Sequence, residues 1–267
     1  MPKNPLLEDI DKGRTSIGVW ANSADMIELC AAVGFHWVMI DQMFTSIDWS
    51  TAAELIRAAE ASDITPVLRI QSNPWLGYDH RLAVDVSRAM GIGAQFMLVS
   101  NSGKEDMDEC LAAGRDWHRK ALTIHPYRDF DEWEPTLAHQ SRQTFVIPQP
   151  ETKGGLEYLE EVMTNPDCKV VFIAMTDASR VLSGSHRPDF NHPKLWEYVD
   201  RAVELGRQTG VTVGANTSYA YTMEAMVDRV RQLHEHGVRM IMAQGANFLF
   251  QIAANRFLSD VRSIIES

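Results

Sequence analysis

The chain has 267 residues, of which 45% are hydrophobic, and this is enough for one substantial core. Its 25 lysines and arginines are outnumbered by 36 aspartates and glutamates, and the net charge of −11 disfavours nucleic acid or an anionic membrane as the main partner. No apolar run reaches the roughly 18 residues of a membrane span, no secretory signal is recognisable, and the three scattered cysteines form no metal or disulfide motif, so a cytoplasmic protein is expected.

Short apolar runs alternate with amphipathic stretches along almost the whole chain. Ser23 is suited to cap the start of the first amphipathic stretch and Gly34 to end it. The predicted strands span residues 16–21, 36–41, 65–70, 95–100, 144–149, 169–175, 211–216 and 239–244. The predicted helices span residues 23–34, 49–62, 80–93, 104–117, 155–165, 193–210, 223–237 and 247–267. Residues 118–143 are irregular and are predicted to form a long loop or short helices.

This alternation predicts the fold class. Continuous apolar strands are typical of a parallel sheet that is covered on both faces. Eight β/α units without a break in composition predict an α/β protein, a (β/α)8 TIM barrel that forms a single domain over residues 1–267. An open doubly wound sheet is the alternative. Its dinucleotide-binding version is disfavoured, because no glycine-rich phosphate turn follows the first strand.

In a barrel of this kind, active sites lie at the carboxyl ends of the strands. The side chains expected there are Trp20, Asp41, Arg69, Ser100, Asn101, Gln149, Glu151, Asp177, Asn216, Gln244 and Asn247. Glu151 and Asp177 follow successive strands and have the oxygen ligands that suit one divalent cation, while Arg69 is suited to clamp a carboxylate or to stabilise an enolate. On spacing alone, helix capping by both acids and a structural ion pair of Arg69 with either acid are the simpler interpretations.

Seven sequence fragments, which occur in order along the chain, favour a catalytic role for these residues over the structural interpretations. They are "SIGVW…ELCAAVGFHWVMID", "PVLRI", "GIGAQFMLVSN", "PETKGGLEYLEEV", "VFIAMTDASRVLSG", "NHPKLWEYVDRAVELGRQTGV" and "GVRMIMAQGANFLF". Together they resemble the HpcH/HpaI aldolase family, the metal-dependent class II pyruvate aldolases, which include 2-keto-3-deoxyglucarate aldolases. The resemblance runs from about residue 16 to residue 260, and it implies a carbon–carbon lyase that acts on a 2-oxo acid and an aldehyde.

The resemblance also implies roles for individual residues. Glu151 in "PETKGGL" and Asp177 in "VFIAMTDAS" match the ligands of a divalent cation, Mg²⁺ or Mn²⁺, with Co²⁺ or Zn²⁺ as further possibilities. Arg69 matches the arginine that holds the substrate 2-oxo group and the enolate oxygen. The candidate substrate-binding residues are Trp20, Phe44, Gln149, Ala174, Met175 and Thr176, and backbone amides within 174–177 would receive the substrate carboxylate.

The resemblance further implies a homohexamer, built as a trimer of dimers. The C-terminal helix supports assembly, because it carries more apolar side chains than one helix face needs in a monomer. One departure weakens the idea that neighbouring subunits share their sites. The family's Leu-Asp, whose aspartate reaches a neighbour's site, is replaced here by Met90 and Gly91.

A second departure concerns the catalytic base. The family's second strand ends in an Asp, a small residue, a Glu and a His, and the Asp–His pair supports proton abstraction. Here the same positions are Asp41, Gln42, Met43 and Phe44, so the base position holds phenylalanine. The stretch that contains "NPWLGYDHR" (73–81) is also longer than usual.

Three explanations of the missing histidine can be combined. Another base replaces it, either His80 beside Asp79 or His125; His36 is disfavoured because it begins its strand. Alternatively, the reaction needs no such base, as in metal-dependent decarboxylation of a β-oxo acid. The third explanation is a bulkier aromatic or apolar substrate bound against Met43, Phe44, Trp75 and Tyr78. We favour His80, which with Arg69 and Asp41 completes the predicted catalytic set.

A catalytically silent barrel that binds a 2-oxo acid is the alternative from another class of function. The presence of Glu151, Asp177 and Arg69 together disfavours it.

Overall fold

A computed structural model describes residues 4–73, 75, 79–101, 103–115 and 143–265. Its strands are β1 Ser16–Trp20, β2 Trp37–Asp41, β3 Thr65–Arg69, β4 Phe96–Asn101, β5 Phe145–Pro150, β6 Val170–Ile173, β7 Thr212–Asn216 and β8 Met240–Gly245. The helices of the described part are α1 Pro5–Asp11, α2 Ala24–Val33, α3 Trp49–Ala61, α4 Arg81–Ile92, α5 Lys104–Arg115, α6 Lys153–Glu157, α7 Leu159–Thr164, α8 Met175–Ser183, α9 Pro193–Thr209, α10 Met223–His236 and α11 Ala246–Ile265. Each predicted strand overlaps an observed strand.

The eight strands form one parallel sheet with the order β5-β4-β3-β2-β1-β8-β7-β6. β5 and β6 lie against each other, so the ring is nearly closed. Helices alternate with the strands, and the predicted (β/α)8 TIM barrel is confirmed. Within the described ranges, no helix is both long enough and apolar enough to cross a membrane.

Alternate strand residues fill the interior of the barrel, as a two-residue repeat requires. The interior cluster consists of Leu6, Trp37, Met39, Val67, Phe96, Leu98, Ile147, Val170, Phe172, Met240 and Met242. The same alternation continues to the carboxyl ends of the strands, where the buried side chains become polar. Asp41, Arg69, Ser100 and Gln149 lie there, each two residues beyond a member of this cluster.

Two glycines make room for the large aromatic rings of the interior. A Cβ atom on Gly18 would lie 2.1 Å from the ring of Trp37, and one on Gly214 would lie 2.6 Å from Phe172. Trp37 and Phe172 meet edge to face with their centroids 6.5 Å apart. The rings on β2 and β6 therefore fit only because β1 and β7 carry no side chain at these positions.

The element boundaries differ from the prediction in three places. The strand predicted over 169–175 ends at Ile173, because Ala174 caps α8 and Met175 begins it. An apolar run cannot by itself separate the end of a strand from the first turn of a buried helix. The helix predicted over 155–165 is divided at Tyr158 into α6 and α7. Helices α1 and α8 were not among the predicted helices, and the predicted irregular segment 118–143 lies almost entirely outside the described residues.

Ser23 and Gly34 have their predicted roles at the ends of α2. The Ser23 side chain accepts a hydrogen bond from the Met26 amide, and Gly34 adopts the left-handed conformation at φ 107°. The free cysteines Cys30, Cys110 and Cys168 are buried.

Candidate active site

Asp41 and Arg69 form a buried ion pair at the carboxyl ends of β2 and β3. The parallel register sets these two residues opposite each other. Arg69 Nε lies 2.7 Å from Asp41 Oδ1, and Arg69 Nη2 lies 2.8 Å from Asp41 Oδ2. Asp41 is fully buried and Arg69 nearly so. The ion pair predicted for Arg69 is therefore real, but its partner is Asp41 rather than Glu151 or Asp177.

The remaining hydrogen bonds of Asp41 hold the loop that follows β2. Its Oδ1 accepts from the Met43 amide at 2.9 Å, and its Oδ2 accepts from the Phe44 amide at 3.3 Å. The Thr45 hydroxyl donates to the backbone carbonyl of Asp41. Both carboxylate oxygens of Asp41 thus accept two hydrogen bonds each, so this side chain fixes the orientation of Arg69 and the position of Phe44 together.

Two aromatic rings contact the Arg69 guanidinium. Its Cζ lies 4.9 Å from the centroid of the Phe44 ring and 5.5 Å from that of Trp20. Both distances are within the range of cation–π attraction. The Trp20 indole in turn donates to Asn22 Oδ1 at 3.0 Å. Phe44 is 69% exposed, so its contact with Arg69 lies at the open mouth of the barrel.

Glu151 and Asp177 follow β5 and β6, close enough for the charge of Asp177 to affect the ionisation of Glu151. Burial, and after it the charge of Asp177, raise the pKa of Glu151 to about 7, and Arg69 and Ser100 oppose that rise. Burial also raises the pKa of Asp177, whereas the charges of Arg180 and Arg69 act to lower it. Neither acid caps its following helix: Thr152 caps α6 and Ala174 caps α8.

These two acids fit a divalent cation. Glu151 is only 4% exposed, and no arginine or lysine of the described chain is within ion-pair distance of it. A buried carboxylate of this kind is stabilised by a bound cation, and paired carboxylate oxygens suit hard divalent ions. The described residues contain no group of three or more histidine, cysteine, aspartate or glutamate side chains that could hold a metal. Two protein carboxylates would therefore leave most coordination positions to substrate and water.

Gln149 and Ser100 support this region from β5 and β4. The Ser100 hydroxyl lies 3.2 Å from Gln149 Oε1 and 3.7 Å from the sulfur of Met43, and Ser100 is among the groups that lower the pKa of Glu151. Ser100 and Gln149 are both buried. Gln149 lies near the carboxyl end of β5, and Ser100 connects it to the loop after β2.

The start of α8 carries the other predicted substrate-binding residues. Ala174 is buried at the N-cap, and the Met175 amide donates to Asn216 Oδ1 at 2.9 Å. Of the amides predicted to receive the substrate carboxylate, that of Met175 is therefore already bonded to β7. The Thr176 hydroxyl lies 3.0 Å from Ser218 Oγ. The first turn of α8, which carries Asp177, is thus held from the end of β7.

Sequence reasoning did not assign a role to Asn216 or Ser218. Asn216 was expected at a strand end, but a contact with the start of α8 has no local sequence signal. Ser218 and Tyr219 adopt positive φ values of 37° and 34°. Backbone strain at non-glycine residues is concentrated at functional sites, and only the structure reveals it here.

His80 lies apart from the acid pair. It is exposed at the N-cap of α4, makes no side-chain capping bond, and lines a cavity of about 820 Å³ together with Phe44 and Asp79. His36 is at the opposite end of its strand, where its Nδ1 contacts Asp9 at 2.8 Å. Tyr78 and His125, which were also considered, lie outside the described residues.

Known proteins resemble this chain over most of its length. The hydroxypyruvate/pyruvate aldolase of Paraburkholderia phytofirmans is 25% identical, over 97% of this chain and 98% of that protein. The 4-hydroxy-2-oxo-heptane-1,7-dioate aldolase of Klebsiella pneumoniae is 23% identical, over 79% and 78% of the two chains. An HpcH/HpaI aldolase/citrate lyase family protein from Burkholderia cenocepacia has the same fold, with a TM-score of 0.76, 24% identity, and coverage of 97% of this chain and 100% of that one.

The relatives and the family model show which kind of enzyme this chain is. Relatives named as aldolases identify the chain as a carbon–carbon lyase of the aldolase type that acts on small molecules. The model of the HpcH/HpaI aldolase/citrate lyase family matches residues 16–244, and the chain belongs to that family.

Proposed function

We propose that this lyase depends on a divalent metal and makes or breaks a carbon–carbon bond next to a 2-oxo acid, through a pyruvate-like enolate. The observation that carries the proposal is the guanidinium of Arg69, fixed by Asp41 and close enough to Glu151 and Asp177 to influence their ionisation. Mg²⁺ and Mn²⁺ suit the two carboxylates best, and Co²⁺ and Zn²⁺ are further candidates.

The proposed reaction develops negative charge on the C2 oxygen of the substrate, and positive charge beside that oxygen stabilises it. When the bond between C3 and C4 of a 4-hydroxy-2-oxo acid breaks, its electron pair moves to the C2 oxygen as an enolate, and the 4-hydroxyl proton goes to a base. A divalent cation held by Glu151 and Asp177 would supply Lewis acidity at this oxygen. Arg69 donates hydrogen bonds to the developing charge from a fork that is already oriented, which avoids reorganisation during the reaction.

The remaining residues bind the substrate and move the proton. Trp20 and Phe44 lie against the Arg69 guanidinium and help to shield it from water. The start of α8, at Thr176, receives the substrate carboxylate. His80 is the proposed base, because it shares a cavity with Phe44 at the mouth. Asp41 acts as a positioning residue, since its oxygens are occupied by Arg69 and the loop amides.

A β-oxo acid decarboxylase is the second candidate. Phenylalanine at the family's base position favours it, because loss of CO₂ from oxaloacetate leaves the same enolate without prior removal of a proton. This reaction would use Arg69 and the acid pair in the same way.

The direct test is an assay for pyruvate release from a panel of 4-hydroxy-2-oxo acids, and from oxaloacetate, after loading with Mn²⁺ or Mg²⁺. Asp177→Ala should abolish both metal binding, measured by titration calorimetry, and metal-dependent turnover. Asp228→Asn, which removes an exposed aspartate on α10, is the control and should change neither. Full activity of Asp177→Ala, or of the protein in excess chelator, contradicts the proposal.

A second assay separates the two candidates. Exchange of the pyruvate methyl protons in deuterated water requires a base, whereas oxaloacetate decarboxylation does not. General-base help is worth about 10²–10⁴ in rate, so exchange much slower than decarboxylation indicates that no base replaces the family's histidine. In that case Phe44→His should raise exchange more than decarboxylation. Brisk exchange that is lost in His80→Ala identifies His80 as the base.

A further inference from the structure

Side chains that follow β7 hold two consecutive residues at the start of α8. Asn216 Oδ1 accepts a hydrogen bond from the Met175 amide at 2.9 Å. Two residues further along the chain, Ser218 Oγ lies 3.0 Å from Thr176 Oγ1. The next residue of α8 is Asp177, so both contacts act on the helical turn that carries this acid. Asn216 holds the backbone of that turn, whereas Ser218 touches only a side chain, which suggests a different role for Ser218.

The turn that presents Ser218 has a strained backbone. Ser218 and Tyr219 have φ values of 37° and 34°, in the left-handed region that favours glycine. The turn is held on two sides, because the Thr217 amide donates to the Met242 carbonyl at 2.9 Å and the Tyr219 ring lies 6.2 Å from that of Phe190. Strain that is maintained by its surroundings is concentrated at functional sites. The strained conformation keeps the Ser218 hydroxyl against α8.

The hydroxyl groups of Ser218 and Thr176 have one more proton than their contact uses. Each hydroxyl brings one proton, and the single hydrogen bond between them takes up one of the two. In the part of the chain that the structure describes, neither hydroxyl has another side-chain or backbone acceptor within hydrogen-bond distance. Ser218 is only 7% exposed, whereas Thr176 is half-buried. Donation from the buried Ser218 to Thr176 leaves the Thr176 proton for a ligand.

We infer that Ser218 is a positioning residue that orients the Thr176 hydroxyl for donation to the substrate carboxylate. The inference rests on the proposed function, in which the start of α8 receives that carboxylate. A hydroxyl that accepts one hydrogen bond is a stronger donor in the next, because hydrogen bonds in a chain polarise one another. Donation to an ionised carboxylate is stronger than donation to a neutral group. Ser218 therefore acts on the substrate only through Thr176.

Binding of pyruvate to the Mn²⁺-loaded protein, measured by titration calorimetry, tests the inference. Thr176→Val removes the hydroxyl at nearly constant shape and should weaken binding by about tenfold or more, as expected for a hydrogen bond to a charged group. Ser218→Ala should weaken binding by about threefold or more. Ser87→Ala is the matched control, since it removes a half-buried hydroxyl that donates to the Ala83 carbonyl on α4, and it should leave binding unchanged.

Two further variants separate positioning from a structural role. If Ser218 acts only through Thr176, adding Ser218→Ala to Thr176→Val should weaken binding no further than Thr176→Val alone. Ser218→Gly also lacks the hydroxyl but relieves the strain of a positive φ. It should therefore match Ser218→Ala in pyruvate affinity and yet unfold at a higher temperature.

The outcomes distinguish failure of the inference from failure of the proposed function. Wild-type affinity of Ser218→Ala, additive losses in the double variant, or an affinity that follows the unfolding temperature across the Ser218 variants overturns the inference. Each of these results leaves the aldolase function intact. If the unmodified, metal-loaded protein neither binds pyruvate nor turns over any 2-oxo acid, both proposals are overturned.

Discussion

Replacing Asp41 by asparagine tests whether this carboxylate positions Arg69. Asp41 accepts four hydrogen bonds in a fully buried setting: two from Arg69, at 2.7 and 2.8 Å, and two from the amides of Met43 and Phe44. Asparagine keeps the shape but presents an NH₂ group to one of the donors and leaves the arginine without a counter-charge. Breaking one side of a buried pair costs about 3–5 kcal/mol. For a domain of this size, that loss lowers the melting temperature by on the order of 10 °C.

The measurement is thermal and urea unfolding at one fixed protein concentration, since assembly would shift the midpoint. Asp48→Asn is the matched control. Asp48 is an exposed N-cap that accepts from the Thr51 amide at 2.7 Å, and asparagine caps equally well, so little change is expected. An Asp41→Asn protein that unfolds at the wild-type midpoint, yet has lost turnover, would show that Asp41 acts in proton transfer instead of positioning.

Arg69→Lys should lower turnover by about 10²–10³-fold, because lysine lacks the planar guanidinium that donates to both Asp41 and the substrate. Arg231→Lys, on the surface, is the control and should have no effect on turnover. Wild-type turnover of Arg69→Lys would make Arg69 purely structural. Gly18→Ala should destabilise the barrel by about 1–3 kcal/mol in urea unfolding, because its Cβ meets the Trp37 ring, whereas Gly91→Ala has open space and should be tolerated. Light scattering should give a multiple of the 30.1 kDa chain mass, and we expect a hexamer. The reason is that α11 leaves Phe250, Phe257 and Ile265 exposed, and another subunit can cover them. A monomer under dilute native conditions would refute this prediction.

The fold was predictable because its signals are local and repeated. Apolar strands of about five residues, separated by capped helices, indicate a parallel barrel without any knowledge of contacts. Boundaries failed where an apolar run continued across a change of structure. Met175 is as apolar as the strand before it, but its amide is held by Asn216, and the helix begins there. That contact spans more than forty residues and cannot be read from a local pattern.

The placement of the candidate site residues at one end of the barrel was predictable, and their pairing was less so. The strand-end rule placed Asp41, Arg69, Glu151 and Asp177 at one end of the barrel, because inward positions alternate along each strand. It did not show which carboxylate would pair with Arg69. The register of β2 and β3 decides this, since it sets Asp41 directly beside Arg69. Sequence spacing contains no information on that register.

The phenylalanine at position 44 is best understood together with the hydrogen bonds of Asp41. A ring at this position contacts the Arg69 guanidinium through its face, and a phenyl face attracts a cation without offering a site for a proton. Asp41 cannot compensate, because every acceptor position of its carboxylate is used to hold Arg69 and the loop that carries Phe44. Of the two positions where the family resemblance predicts a proton-transfer pair, Asp41 therefore holds Arg69, and Phe44 contacts it. Any proton that the reaction moves must be carried from the side of the adjoining cavity, where His80 lies, or the reaction must proceed without moving one.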